Sequence, residues 1–481
     1  MGHLDWVKGA VIYQVFPDRF AKSEGAAADG VFEKWEAPET QNGFKGGNLK
    51  GAEERLDYLR ALGVNAVYFT PIFASAANHR YHTFDYYRVD PVLGGNAAFR
   101  SFLKAAHKRG MKVILDGVFN HASRGFFQFN HLLENGAASP YKNWFHPHGY
   151  PLKAYNLKKG EKPNYSCWWG LPALPKFNTK NPEVRRFILG VAKYWLEQGI
   201  DGWRLDVPYE INDDSFWREF RRTCKAVNPD CYIIGEIWGE ARRWLKGDQF
   251  DAVMNYQLSA ACISYFGGKK LKLTHSYAGK ELKHWNQAAF ISGIERLLGL
   301  YKPETTLKQM NMMTSHDTDR MLDTYGGDEK RLKLSVIFSF LFPGAINIYY
   351  GEELGLPGAF NAGTRQGMPW KNEKIWDKDL LGLYKRLAAL RKGDEAIKHG
   401  KFEFLKEYCD GRALAFRRSS GGEALLCLMN NSSSEVNLAL KQGALGNKPG
   451  AVLNSGVKLK PAGPKKLTAV LAPWAYAVYR L

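Results

Sequence analysis

NPEVRRFILGVAKYWLEQG (181–199) followed by GWRLD (202–206) is the stretch from which the fold can be read. A long amphipathic segment of helical character gives way, after two residues, to a short apolar run that ends in charge. The same alternation continues outward in both directions. VIYQV (11–15), NAVYF (65–69) and KVILD (112–116) precede it, and YIIGE (232–236), DAVMN (251–255), MNMMT (310–314) and INIYY (346–350) follow. LKGAEERLDYLRALG (49–63) and NAAFRSFLKAAHKRG (96–110) supply further helical segments between the runs. Repeated strand–helix units of this kind predict an α/β fold, a parallel (β/α)8 TIM barrel. An open doubly wound sheet is the alternative. No glycine-rich phosphate loop follows the first strand, which disfavours it.

Two regions break the alternation. Residues 121–175, after the third strand, run through Gly, Pro, Asn and aromatic residues without clear helical period. Long structured insertions of this kind are usually functional, and an inserted B subdomain is expected there. Beyond about residue 395 a period of two appears in RALAFRR (412–418), EALLCLMN (423–430) and AYAVYRL (475–481). The expected organisation is therefore a barrel over 1–120 and 176–395, the insertion at 121–175, and an antiparallel β-sandwich at 396–481.

The bulk properties exclude several classes. At 481 residues and 45% apolar content, two or three domains with sizeable cores are expected. No run reaches the roughly 18–20 apolar residues of a membrane span. The N-terminal segment lacks a basic region followed by an apolar one, so a cytoplasmic location is expected. The six cysteines form no CxxC pair and no His/Cys metal spacing. The net charge of +19 comes from dispersed lysines, with modest clusters at Lys153–Lys162, Lys269–Lys283 and Lys458–Lys466. No nucleic-acid-binding motif accompanies them, so a solvated basic surface is expected, with neither nucleic acid nor membrane as partner.

Barrel enzymes carry their chemistry at the C-terminal ends of the strands. Here those ends are DGVFNH (116–121), giving Asp116, Asn120 and His121, GWRLD, giving Arg204 and Asp206, YIIGE, giving Glu236, and SHD (315–317), giving His316 and Asp317. Singly, each acid reads equally well as a barrel-lining ion pair or helix cap. Together they put four acids, two histidines and an arginine on one rim. Glycosidic cleavage needs a carboxylate on one face of a sugar and a carboxylic acid on the other, about 5–5.5 Å apart in a retaining mechanism. Asp206 and Glu236, on adjacent strand ends, fit that pair. Arg204 lies two residues before Asp206, so both side chains share one face of the strand, and its cation keeps Asp206 ionised. Glu236 must be protonated at rest, which predicts like charges from the other acids around it. A two-histidine metal site is the other reading, without an HExxH motif to support it.

These four strings resemble the signatures of the α-amylase family, in that family's order and rough spacing, over about residues 6–480. The resemblance implies that Asp206 is the nucleophile, Glu236 the general acid/base and Asp317 a group that binds and distorts the sugar at the −1 site. It implies that His121 and His316 bind hydroxyls of that sugar, that Tyr81 stacks on it, and that Asp116 orients Arg204, with Asn120 alongside. LPKFN (174–178) is similar to the MPKLN string of the neopullulanase, cyclomaltodextrinase and maltogenic amylase group. Trp238, two residues past the acid, suits that group's acceptor side. The implied activity is hydrolysis of α-1,4-glucosidic bonds in maltooligosaccharides, starch, cyclodextrins or pullulan through a covalent glycosyl-enzyme. Transglycosylase, α-glucosidase and trehalose-forming isomerase are the alternatives on the same scaffold. A non-catalytic barrel is disfavoured because all three acids are kept.

The chain also departs from the group. Its barrel begins near residue 10, without the group's N-terminal β-domain, so a monomer, or a dimer not built on that domain, is expected. VPYE (207–210) replaces the usual VANE, and His82 stands where the group has Asp. In NAGTRQGMPW (361–370), Arg365 is retained but Asn361 and Gly363 replace two acids. No cofactor is expected to be required. Calcium is left open, with incomplete ligands: Lys22 and Asn48 stand where an asparagine and an aspartate are expected, and Glu210 replaces a histidine near Asn120. Lys22 is expected to reach towards Glu24 or Asp29 instead.

Overall fold

The computed structural model describes residues 4–23, 32–272, 276–277, 280–359, 363–441, 450–463 and 466–481. Eight strands appear where the apolar runs predict them: β1 Val11–Val15, β2 Ala66–Phe69, β3 Lys112–Gly117, β4 Gly202–Leu205, β5 Tyr232–Gly235, β6 Ala252–Val253, β7 Met310–Met312 and β8 Ala345–Tyr349. They form one sheet in the order β7-β8-β1-β2-β3-β4-β5-β6, the nearly closed parallel barrel that was expected. Apart from Lys112, every strand residue is buried, which is why these runs are continuously apolar rather than alternating.

The helices begin where side chains can satisfy their free N–H groups. Asn181 accepts from Glu183 N–H ahead of Pro182–Glu197, and Asp213 accepts from Ser215 and Phe216 N–H ahead of Asp214–Val227. The segment at 49–63 is two helices, Leu49–Glu54 and Leu56–Leu62, joined at Arg55 and closed by Gly63 at φ 96°. By contacts the chain divides into two compact units. The first comprises residues 1–5, 12–254 and 365–373, and the second 6–11, 255–364 and 374–481.

In the first unit, the insertion after β3 contains a helix, Phe127–Asn135, that the missing period did not predict. It buries only Phe129 and Leu132, while Phe127 is exposed, so its apolar residues trace no helical stripe. Phe129 packs on Phe145 (4.9 Å between ring centroids) and Tyr165 (5.0 Å), giving the insertion an aromatic core. A bridge between His121 and Lys176 ties its two ends together, and one between Cys167 and Pro175 closes its last turn.

The second unit holds β7, β8 and the antiparallel C-terminal region. That region comprises β9 Lys401–Phe404, β10 Ala413–Ser420, β11 Glu423–Asn430, β12 Val436–Lys441, β13 Gly450–Pro461 and β14 Lys466–Arg480. The anticipated sandwich is one hydrogen-bonded sheet. β14 pairs with β12 through Lys466–Leu471 and with β11 through Tyr476–Arg480, while β13 follows it along both halves. The change of partner falls around Trp474, at φ 62°. Leu426 and Leu428 of β11, Leu438 of β12, and Leu471 and Ala477 of β14 share one apolar cluster, so the sheet folds over its own core.

Candidate active site

Strand pairing brings the predicted acids together. Asp116 of β3 lies opposite Arg204 of β4, and Leu205 opposite Gly235 of β5. The ladder runs on past the strands, with Asp206 N–H donating to Gly117 O (3.1 Å) and Glu236 N–H to Leu205 O (3.0 Å). Asp206 and Glu236 are thereby held one step beyond neighbouring strands.

Arg204 is the hub. Its Nη1 lies 2.9 and 3.0 Å from the two oxygens of Asp116 and 3.1 Å from Asp206 Oδ1, and its Nη2 lies 3.0 Å from Glu236 Oε2. Burial works against this cation, but Asp116 and Glu236 outweigh burial and hold its pKa well above the usual arginine value. Asp116 Oδ2 also accepts from the hydroxyls of Tyr68 (2.6 Å) and Tyr81 (3.0 Å). The orientation of Arg204 by Asp116 is thus visible as a two-oxygen contact. Tyr81 meets the cluster through its hydroxyl.

Glu236 is also held by hydrogen-bond donors of its own. Besides Arg204, Oε2 accepts from Val207 N–H (2.9 Å), and Oε1 accepts from Trp238 Nε1–H (3.0 Å). Val207 and Trp238 are hydrogen-bond donors to the carboxylate, and Arg204 is its ion-pair partner. Val207 reaches its position with φ 34° and ψ 50°, a left-handed conformation unusual for a β-branched residue, and this aims its N–H at the carboxylate. Neither this backbone contact nor Tyr68 was found in the sequence. Tyr68 was accessible in principle, because its register partner is Ile114, two residues before Asp116 and on the same strand face.

Asn120 and His121 are buried behind the cluster. Asn120 Nδ2 meets His121 Nδ1 at 3.2 Å, and burial together with His82 and Lys176 lowers the His121 pKa to about 3, so the ring is neutral. Burial, with Arg124 nearby, also lowers the His82 pKa. Arg365 donates its N–H to Glu39 Oε1 (3.1 Å) and lays its guanidinium over Phe16, 5.4 Å from the ring centroid. Asn361 lies outside the described residues. His316 and Asp317 belong to the second unit, after β7. There His316 is fully buried, its Nε2 lies 3.0 Å from Asp317 Oδ2, and Asp317 N–H donates to Ser315 Oγ at 3.2 Å.

Among the described residues, those expected around a calcium ion are engaged with other partners. Asn48 is committed as a helix cap, accepting from Gly51 N–H (2.7 Å) and donating to Ser23 Oγ (3.1 Å). Lys22 Nζ sits 5.4 Å from the centroid of the Phe32 ring, and its expected partners Glu24 and Asp29 lie outside the described residues. Near Asn120 the one retained feature is Oδ1, which is buried without a hydrogen bond. Lys176 Nζ lies 2.7 Å from Glu210 Oε2 and 3.4 Å from the Glu210 carbonyl, putting an ammonium beside the oxygens a cation would need. Among the described residues no three His, Cys, Asp or Glu side chains are grouped to hold a metal.

Residues 14–368 match the family described as alpha amylase, catalytic domain, and residues 402–478 match maltogenic amylase, C-terminal domain. A cyclomaltodextrinase of Bacillus sp is 41% identical over 431 residues, 89% of this chain and 74% of its own length. Among solved structures, a protein from Thermus thermophilus, Ttha1563, is 46% identical with a TM-score of 0.91, and the match covers 99% of each chain. A debranching enzyme from Nostoc punctiforme is 41% identical with a TM-score of 0.90, over 100% of each chain.

Proposed function

We propose, on the premise that this chain belongs to the α-amylase family of glycoside hydrolases, that Asp206 and Glu236 carry out a retaining cleavage of its substrate. The enzyme hydrolyses α-1,4-glucosidic bonds of α-glucans such as maltooligosaccharides, starch, cyclodextrins or pullulan. The observation that carries the residue assignment is the Arg204 head, which touches Asp206 and Glu236 at 3.1 and 3.0 Å while Asp116 fixes it from behind.

In the first step an Asp206 oxygen attacks the anomeric carbon, the bond to the glycosidic oxygen breaks, and Glu236 gives its proton to that oxygen. In the second, Glu236 takes a proton from water, the water oxygen attacks the same carbon, and Asp206 leaves. The two N–H donors on Glu236, with the Arg204 cation beside them, suit the second step, where it acts as a carboxylate base. Asp317 binds and distorts the reacting sugar, His121 and His316 bind its hydroxyls, Tyr81 stacks on it, and Trp238 shapes the acceptor side. No cofactor enters either step. All six cysteines are free thiols, which supports a cytoplasmic location.

The test is Asp206→Asn, for which we expect loss of activity by about 10⁴-fold or more, together with NMR of the first products of the native enzyme. Early α-anomers are expected. Early β-anomers would overturn the retaining assignment.

A further inference from the structure

We propose that Trp169 is a glucose-stacking platform that sets the enzyme's preference for longer α-glucans, an inference that rests on Asp206 and Glu236 as the reaction centre. Trp169 is 68% exposed, so core packing does not explain it. It is also held at φ 51° and ψ 23°, a left-handed conformation that a bulky residue rarely adopts. Strain of this kind persists where the surroundings enforce it, and it gathers at ligand-binding positions.

The surroundings are specific. The Trp169 indole lies face to face on Trp168, with centroids 4.4 Å apart and planes 9° apart. Trp168 in turn lies near-parallel to His121, at 5.6 Å and 21°. The Trp168 indole N–H is buried without a protein acceptor. Trp168 N–H donates to Leu174 O (3.0 Å), and Leu171 N–H donates to Trp168 O (2.9 Å), which fixes the turn. The Cys167–Pro175 and His121–Lys176 bridges join that turn to the chain just beyond β3, the strand that supplies Asp116 to Arg204. A ladder of three parallel rings therefore climbs from the strand end of the catalytic cluster to solvent.

A flat, backed indole face matches the flat C–H face of a glucopyranose ring, whose hydroxyls stay in water at the rim. Phe127 shows the contrast. It is 63% exposed, but it sits in an ordinary helix and meets His131 and Tyr141 edge-on at 61° and 75°. It offers no backed face.

Trp169→Asn is the informative variant, because asparagine accepts the left-handed backbone. We expect its kcat/KM on maltoheptaose to fall by about 3- to 15-fold, with less than about 2-fold change on maltotriose and no loss in Tm. Trp169→Phe should restore most of the long-chain activity, and Phe127→Ala should leave both substrates unaffected. Maltoheptaose binding to Asp206→Asn protein, with and without Trp169→Asn, should weaken by the same factor in calorimetry. Equal losses on both substrates, or no length-dependent loss, would overturn the platform. If Asp206→Asn proved active, the reading of the reaction centre would fail instead.

Discussion

Buried acids are handled in opposite ways in the two units. In the first, Asp116 and Glu236 are 1% and 2% exposed, and each lies about one hydrogen-bond length from the Arg204 guanidinium. In the second, Glu352 follows β8 and is also buried, at 8% exposed. Its oxygens accept from the Thr314 hydroxyl and from Tyr349 N–H (3.0 Å), neither of which carries charge. Burial pushes Glu352 up to about 7, and neither its two hydrogen bonds nor the more distant Arg320 offsets it. An interior carboxylate answered only by dipoles, with no cation within a bond length, is left close to neutrality by its burial.

Removing the cation is the most severe way to break that comparison. Arg204→Met keeps most of the volume but leaves Asp116, Asp206 and Glu236 facing one another. Truncating one partner of a buried ion pair costs about 3–5 kcal/mol, because the remaining charge is uncompensated. We expect a denaturation midpoint lowered accordingly, and kcat/KM reduced by about 10³-fold or more as the two carboxylates lose their common support. Urea unfolding and maltotriose hydrolysis would check it. A variant keeping a tenth of the native activity would mean that Arg204 is not the hub.

The residues of this hub were legible because each sits at a strand end, and a strand end is visible as an apolar run that stops on a charged residue. Asp116, Arg204, Asp206 and Glu236 could be placed on one rim without coordinates for that reason. Val207 was not legible, since nothing in the identity of a valine announces a positive φ. The Phe127–Asn135 helix escaped because tertiary aromatic packing, rather than a stripe, holds it. The single C-terminal sheet escaped because local alternation fixes which residues face inward but not how one 15-residue strand is shared between partners. Glu352 gave no signal either, as its environment is made by Thr314, 38 residues away in sequence.

Glu352→Gln sharpens the comparison from the other side. The folded pKa of about 7 lies above the ordinary value of 4.5, so below pH 4.5 both folded and unfolded states hold the proton and the stability is complete. Between 4.5 and 7 the unfolded chain releases a proton that the folded chain keeps, and stability falls as pH rises. Above 7 the full penalty remains, on the order of 3 kcal/mol. Glutamine mimics the protonated acid and removes this dependence. Unfolding free energies of the native protein and the variant should agree near pH 4.5 and diverge in favour of the variant by about pH 8. Parallel profiles would show that Glu352 is charged in the fold and that the contrast with Arg204 does not hold.

The smallest expected effect concerns chelation, at places where internal groups already answer the charge. Asp18 pairs with the Arg19 cation (Nε at 2.8 Å) and accepts from the N–H groups of Lys45 (2.9 Å) and Gly46 (3.3 Å), so its oxygens are already occupied. Asn48 is a helix cap, and Lys176 lies against both the carboxylate and the carbonyl of Glu210. A calcium ion needs about six to eight oxygens, and at each of these places it would have to displace an internal donor or lie beside an ammonium. EDTA should therefore leave activity on maltotriose unchanged and move Tm by less than about 2 °C, below roughly 1 kcal/mol for a domain of this scale. Recovery with added calcium is the discriminating arm, because chelators also act weakly as salts. If Tm dropped by many degrees in EDTA and only calcium restored it, an ion would be completing a site that these side chains leave open. The internal answering of charge would then be confined to Arg204.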